Sequence, residues 1–175
     1  NRLAANAHFA AALQEKPGLR SLHLSGNELT SNAHLATALQ DKYRLTALIL
    51  CGNKLATDAH LAAAFDGKPG LKTLDLFDNE LEADADLAAA LGQLSGLTWL
   101  NLAGNRLRAD AHFADALGNL ESLTWLSVAS NIMAANAQLA TALRCKPHLA
   151  TLSLAGNGLV ADRHLAVALR GKPCL

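Results

Sequence analysis

The sequence has few of the residues that mark several common protein classes. Only 4% of its 175 residues are aromatic and 17% are charged, and 15 basic against 15 acidic side chains give zero formal net charge. Nucleic-acid binding depends on neutralising phosphates, so a chain without excess positive charge is not expected to bind nucleic acid. No apolar run approaches the ~20 residues that cross a bilayer, so we expect no contact with membranes.

Cysteine is also scarce, and its pattern bears on the compartment. Cys51, Cys145 and Cys174 are odd in number and have no paired spacing. This argues against a disulfide framework and favours a reducing compartment, so we expect a cytoplasmic protein. By contrast, 51% of the residues are apolar, which excludes a disordered segment.

The chain consists of one unit copied in constant register. Six units begin with the motif L-x-x-L-x-[LV]-x-x-N, and no insertion or deletion separates them. We therefore expect a single domain over 1–175, with a partial first repeat (1–18) and six full repeats (19–174). Neither end has an atypical capping repeat, so we expect a segment of a longer chain. The motif asparagines recur every 26 residues, at Asn1, Asn27, Asn53, Asn79, Asn105, Asn131 and Asn157.

The second half of each unit predicts a short capped helix. Apolar residues fall at i, i+1, i+3 and i+4, as in 35–39, which gives a helix one apolar face. Glycines at Gly67, Gly92, Gly118 and Gly171 are predicted to be C-caps, and the prolines follow just beyond. Asn or Asp, the preferred N-cap residues, precede each helix at Asn6, Asn32, Asp58, Asp84, Asp110, Asn136 and Asp162.

This pattern resembles the leucine-rich repeat family over all 175 residues, in a helix-containing form similar to ribonuclease-inhibitor-like repeats. The resemblance implies an α/β fold: a right-handed solenoid, or horseshoe, with a parallel sheet on the concave face and short helices on the convex face. Strand spacing of ~4.8 Å against helix widths of ~10 Å predicts the same curvature. We expect the motif asparagines to be buried scaffold residues whose amides donate to and accept from loop backbone groups.

Candidate partner-binding residues lie between the leucines, where side chains of the predicted strands face the concave surface. Both tryptophans fall in one such column on adjacent strands, so we expect them to stack, with Phe77 extending the apolar surface. Aromatic anchors dominate interface energetics, which predicts a protein or peptide partner and no small-molecule substrate. The alternative is that the pair only packs on itself or lies beneath a missing part of the chain. The candidate residues are Trp99, Trp125, Phe77, Ile49, Asp75 and Asn101.

We expect neither catalysis nor a cofactor or metal. The nucleophile-like grouping of His23, Cys51 and Asp75 spans three strands, and His23 and Asp75 would lie roughly 9–10 Å apart, beyond hydrogen-bonding reach. A lysine column at the return turns is predicted to be a solvated edge: Lys16, Lys42, Lys68, Lys146 and Lys172. A histidine column on the convex helices is predicted to be surface, because helix widths keep potential metal ligands apart: His8, His34, His60, His112 and His164.

Three functional hypotheses remain open at this point. The first is a protein-interaction module. The second is the substrate-recognition segment of a larger effector or ubiquitin-ligase-type enzyme with its catalytic domain elsewhere, since alanine-rich arrays of this kind look similar to some bacterial effectors, which are delivered to a host cytosol. The third is a structural or designed array without a partner, although a copied unit has no reason to carry Trp in only two repeats.

Overall fold

The fold follows the repeat, with one strand and one helix in each unit. A computed structural model describes residues 7–30, 32–134, 137–144, 146–159 and 163–170. Over this part of the chain the strands are β1 Ser21–His23, β2 Ala47–Ile49, β3 Thr73–Asp75, β4 Trp99–Asn101, β5 Trp125–Ser127 and β6 Thr151–Ser153. The helices are α1 Ala7–Gln14, α2 Asn32–Leu39, α3 Ala59–Phe65, α4 Ala85–Gly92, α5 Ala111–Gly118, α6 Ala137–Arg144 and α7 Arg163–Arg170.

The strands form an open parallel sheet in chain order, β1 to β6. Each residue pairs with the equivalent residue of the next repeat, so that Leu74 lies opposite Leu100 and Thr73 opposite Trp99. Backbone hydrogen bonds continue beyond the three-residue strands, for example from Leu76 N to the carbonyl oxygen of Asn101 at 2.9 Å. The result is the predicted horseshoe solenoid, with the sheet concave and the short helices convex.

The core lies between the sheet and the helices. The motif leucines of the central repeats, such as Leu74 and Leu100, are fully buried. An alanine of each central helix, such as Ala64, Ala90 and Ala116, is fully buried as well. This small side chain lets each helix pack closely on its neighbours. None of the helices described is long and apolar enough to cross a membrane.

Over the described residues the asparagine ladder is bonded as predicted, and it is buried except at Asn131, which is half-buried. Asn53 Oδ1 accepts from the backbone N–H groups of Asn27 (3.0 Å) and Leu29 (3.1 Å) in the preceding repeat. Its Nδ2 donates to the carbonyl oxygens of Leu24 (3.0 Å) and Leu50 (2.8 Å). One amide therefore ties two consecutive turns together, which confirms a scaffold role for the ladder.

The N-cap predictions hold at three helices, whereas two of the C-cap predictions are wrong. The carboxylates of Asp58, Asp84 and Asp110 accept from the third backbone N–H of α3, α4 and α5. Helix α2 begins one residue earlier, at Asn32 itself. The last residues of α4 and α5 are Gly92 and Gly118, and the cap positions after them have right-handed backbone, so no glycine is required there. At the end of α3 the cap residue is Asp66, and Gly67, which follows it, has a left-handed φ of +65° that favours glycine.

The lysine column is not a solvated edge. Lys42 and Lys146 are fully buried and Lys68 is 4% exposed, whereas Lys16 is exposed as predicted. Each buried stem occupies the core position that Leu94 and Leu120 fill in other repeats. The ammonium groups donate to backbone carbonyl oxygens near the helix ends. Lys42 donates to Gln40 (3.1 Å), Lys68 to Asp66 (2.8 Å), and Lys146 to Gly118 (3.4 Å) in the preceding repeat. Burial lowers the pKa of Lys68.

Some predictions concern residues that the structure does not describe. These are Asn1, Asn6, Asn136, Cys145, Asp162, Gly171, Lys172 and Cys174, together with the side chain of His8.

Candidate binding surface

The two tryptophans stack on the open face of the sheet. Parallel pairing sets Trp99 directly opposite Trp125, with ring centroids 4.4 Å apart and planes inclined by 10°. Both side chains are half-buried, whereas Leu100 and Leu126 beside them point to the other face and are fully buried. The predicted stack is therefore present, and it stands on a core already filled by leucines.

Phe77 lies on the same face but forms a second apolar patch. It follows Thr73, the partner of Trp99, by four residues, which corresponds to roughly 13 Å along a strand. Its side chain is 44% exposed. Its ring lies beside Gly104 in the turn of the next repeat. A Cβ atom added at Gly104 would be only 3.2 Å from Cε2 of the Phe77 ring. The expected apolar surface is thus divided by the residues between the two patches.

Asp75 and Asn101 form the polar row between these patches. They pair with each other in register, and Ile49 pairs with Asp75 on the other side. Asp75 Oδ1 accepts from the N–H of Phe77 at 3.0 Å, and Asn101 Oδ1 accepts from the N–H of Ala103 at 3.1 Å. One oxygen of each side chain therefore stabilises the turn that ends the strand. All three side chains are half-buried.

The nucleophile-like grouping does not come together. His23 pairs with Ile49, which in turn pairs with Asp75, so an intervening strand separates the imidazole from the carboxylate. Cys51 is free, and its Sγ donates to Ser25 Oγ at 3.0 Å. The cytoplasmic location inferred from the cysteines stays a prediction. Within the described ranges, no three His, Cys, Asp or Glu residues are grouped to hold a metal ion.

Sequence reasoning missed a cleft on the helix side. It has a volume of about 270 Å³ and is bordered by Tyr43, Asp41 and Lys68 among others. The hydroxyl of Tyr43 donates to Asp41 Oδ1 at 2.6 Å, which raises the pKa of the phenol. The sequence contains one signal for this cleft. Tyr43 occupies the repeat position at which the neighbouring repeats have Pro17 and Pro69.

Comparisons with known proteins agree with the repeat architecture. A family model described as "Leucine Rich repeat" matches residues 17–33. A search of curated proteins finds no match. Among solved structures, the plant peptide hormone receptor RGFR1 in complex with RGF2 is similar, with a TM-score of 0.62 and 21% identity. The comparison covers 90% of this chain and 23% of that receptor chain.

Two further structures show the same likeness. The HAESA receptor kinase ectodomain of Arabidopsis, in complex with an N-terminal extended IDA peptide hormone, has a TM-score of 0.60 and 28% identity, over 90% of this chain and 26% of that chain. An internalin of Listeria monocytogenes has a TM-score of 0.55 and 22% identity, over 88% of this chain and 46% of that chain. The present chain thus spans between about a quarter and a half of these proteins.

None of these comparisons tests the ribonuclease-inhibitor-like subtype, which stays a prediction. The repeated motif, the stacked parallel strands and these likenesses together identify the chain as a leucine-rich-repeat solenoid.

Proposed function

We propose that this solenoid is an interaction module that binds a protein or peptide on its concave face, with the Trp99–Trp125 stack as the main anchor. The observation that carries the proposal is the stack itself. Two large indoles stand on the open side of strands whose buried leucines already complete the core. A side chain with no core role and a large apolar area is suited to bury that area against a partner.

The rest of the concave face supports the same function. Phe77 offers a second apolar contact, and Ile49, Asp75 and Asn101 supply a mixed row between the two patches. Interfaces commonly combine a few buried aromatic anchors with a polar surround. An extended partner running along the strand direction would contact both patches at once.

The similar structures support a protein or peptide as the kind of partner. RGFR1 is a peptide hormone receptor in complex with RGF2, and the HAESA leucine-rich-repeat ectodomain is in complex with a peptide hormone; both chains are much longer than this one. The same surface would serve the second hypothesis, in which the array selects substrates for a catalytic domain elsewhere in a longer protein. Only the longer sequence tests that alternative.

The experiment combines stability with binding. In the double variant Trp99→Ser and Trp125→Ser, the free energy of unfolding should stay within ~1 kcal/mol of the parent, as for surface sites away from packing. Binding to peptides selected on the parent from a displayed random library should weaken by at least ~2 kcal/mol. Ile132→Ser is the matched control, because Ile132 is 57% exposed and lies outside the strand rows.

Two results would contradict the proposal. Unfolding of the double variant would show that the tryptophans belong to the core. Normal stability with every selected peptide retained would show that the partner binds somewhere else.

A further inference from the structure

Each indole of the stack has one covered face and one outward face. The ring centroids are 4.4 Å apart and nearly parallel, and the strands that carry them are ~4.8 Å apart. The stacking direction therefore runs from strand to strand across the sheet. Trp99 turns its second face towards β3, and Trp125 turns its second face towards β6.

The residues beside the stack are short, so both outward faces stand above their neighbours. Thr73 pairs with Trp99 on one side and Thr151 pairs with Trp125 on the other. Beyond Thr73 the same row continues with Ala47. A threonine or alanine covers only the base of an indole, which leaves a shelf on the sheet beside each ring.

Charge distinguishes the two shelves. On β3, the next residue after Thr73 that faces the concave side is Asp75. On β6, the next residue after Thr151 that faces the concave side is Ser153. From register, the Cα atoms of Asp75 and Trp99 are about 8 Å apart. The nearby cation Lys72 donates its Nζ to the carbonyl oxygen of Gly96 at 2.9 Å, at the return turn. His23 lies two strands from Asp75, beyond Ile49.

The carboxylate of Asp75 is not needed for the local turn. Its Oδ1 accepts from the backbone N–H two residues later at 3.0 Å, and the amide of Asn101 makes the same hydrogen bond at 3.1 Å in the next repeat. An asparagine would therefore stabilise this turn equally well. The negative charge at position 75 is available for another interaction.

We infer that the shelf over Thr73 binds a cationic side chain of the partner, an arginine or lysine, between the outward face of Trp99 and the carboxylate of Asp75. This inference rests on the proposed function and specifies the chemistry of the partner. A cation within ~6 Å of a ring centroid is attracted to the ring face, and Trp is the most effective ring. Arginine fits best, because its planar guanidinium stacks on an indole while its N–H groups donate to a carboxylate.

The test uses random peptides displayed on phage and selected on the intact chain. The peptides recovered should be enriched in arginine or lysine next to apolar residues. One recovered peptide is synthesised twice, with arginine and with its neutral isostere citrulline. Its affinity is followed by tryptophan fluorescence, which reports directly on this surface because the chain contains two tryptophans and both lie there.

The variant Asp75→Asn removes the charge and keeps the turn hydrogen bond. It should weaken binding of the arginine peptide about five- to tenfold and leave binding of the citrulline peptide unchanged. Asp78→Asn is the matched control. Asp78 is an exposed carboxylate three residues away with a left-handed φ of 53°, a conformation that asparagine also adopts. It should change the affinity less than twofold.

The outcomes separate this inference from the proposed function. Equal losses of affinity for the arginine peptide in Asp75→Asn and Asp78→Asn would mean diffuse electrostatic attraction and would overturn the inference of a cation site on the shelf. If the recovered peptides require the tryptophans for binding but contain no cation, the inference of a cation site is also overturned, while the proposed function stands. Peptides that bind equally well to the double variant Trp99→Ser and Trp125→Ser would overturn both.

Discussion

Replacing Asn79 by alanine tests how the repeats are held together. Its Oδ1 accepts from Leu55 N at 3.1 Å, and its Nδ2 donates to the carbonyl oxygens of Leu50 (3.1 Å), Leu76 (3.1 Å) and Phe77 (3.2 Å). The amide has two hydrogens, so these four contacts amount to about three hydrogen bonds. Each contributes about 1 kcal/mol, and buried partners left unsatisfied add to the loss.

We therefore expect Asn79→Ala to lower the free energy of unfolding by about 3 kcal/mol. The assay is equilibrium unfolding in urea, followed by far-ultraviolet circular dichroism, with the slope of the transition unchanged. The variant Asn79→Asp is the matched control. It keeps the shape and one acceptor but places a carboxylate against three carbonyl oxygens, so it should lose at least as much.

A loss of 1 kcal/mol or less for Asn79→Ala would refute this reasoning. The ladder side chains would then be satisfied equally well by water, and the tie between consecutive turns would not contribute to stability. A larger loss in the alanine variant than in the aspartate variant would show that shape and the single acceptor matter more than the donated hydrogen bonds.

Two smaller stability effects are expected. Asp110→Ala removes one cap hydrogen bond, from Phe113 N at 3.0 Å, and should cost about 1 kcal/mol in the same urea titration. Lys68→Leu places leucine where Leu94 and Leu120 already fit, and should raise stability at neutral pH by about 1 kcal/mol. Because burial lowers the pKa of Lys68, the folded parent releases this proton before the unfolded chain does. Parent stability should therefore rise as the pH approaches 10.5, and this rise should be smaller in the variant, as urea titrations at several pH values would show.

The features that repeat with the period were predictable from the sequence. A constant period stacks equivalent residues on neighbouring strands, so the position of Asn53 in its ladder and the stacking of Trp99 on Trp125 follow from spacing alone. The aspartate N-caps, such as Asp84, follow from the same periodicity, because each precedes an apolar helical pattern.

The features that depend on depth and local geometry were not predictable. Lysine is usually solvated, and spacing does not show that the return turn carries the stem of Lys68 into the core while a turn carbonyl accepts from its ammonium group. Gly92 could be placed at a helix end, but the backbone conformation of the residue after it depends on how the next repeat packs. The separation of Phe77 from the tryptophans depends on position along the strand, which a column-by-column comparison of repeats ignores.

The most direct test of the binding surface is hydroxyl-radical footprinting of the intact chain, read by mass spectrometry, with and without a saturating peptide selected on it. The account predicts that oxidation of Trp99 and Trp125 falls several-fold on binding. It also predicts no change at Tyr43, which is 60% exposed and hydrogen-bonded to Asp41 at a return turn, and which serves as the internal control. Unchanged oxidation of both tryptophans, with protection at Tyr43 instead, would contradict the concave site and place the partner on the helix side.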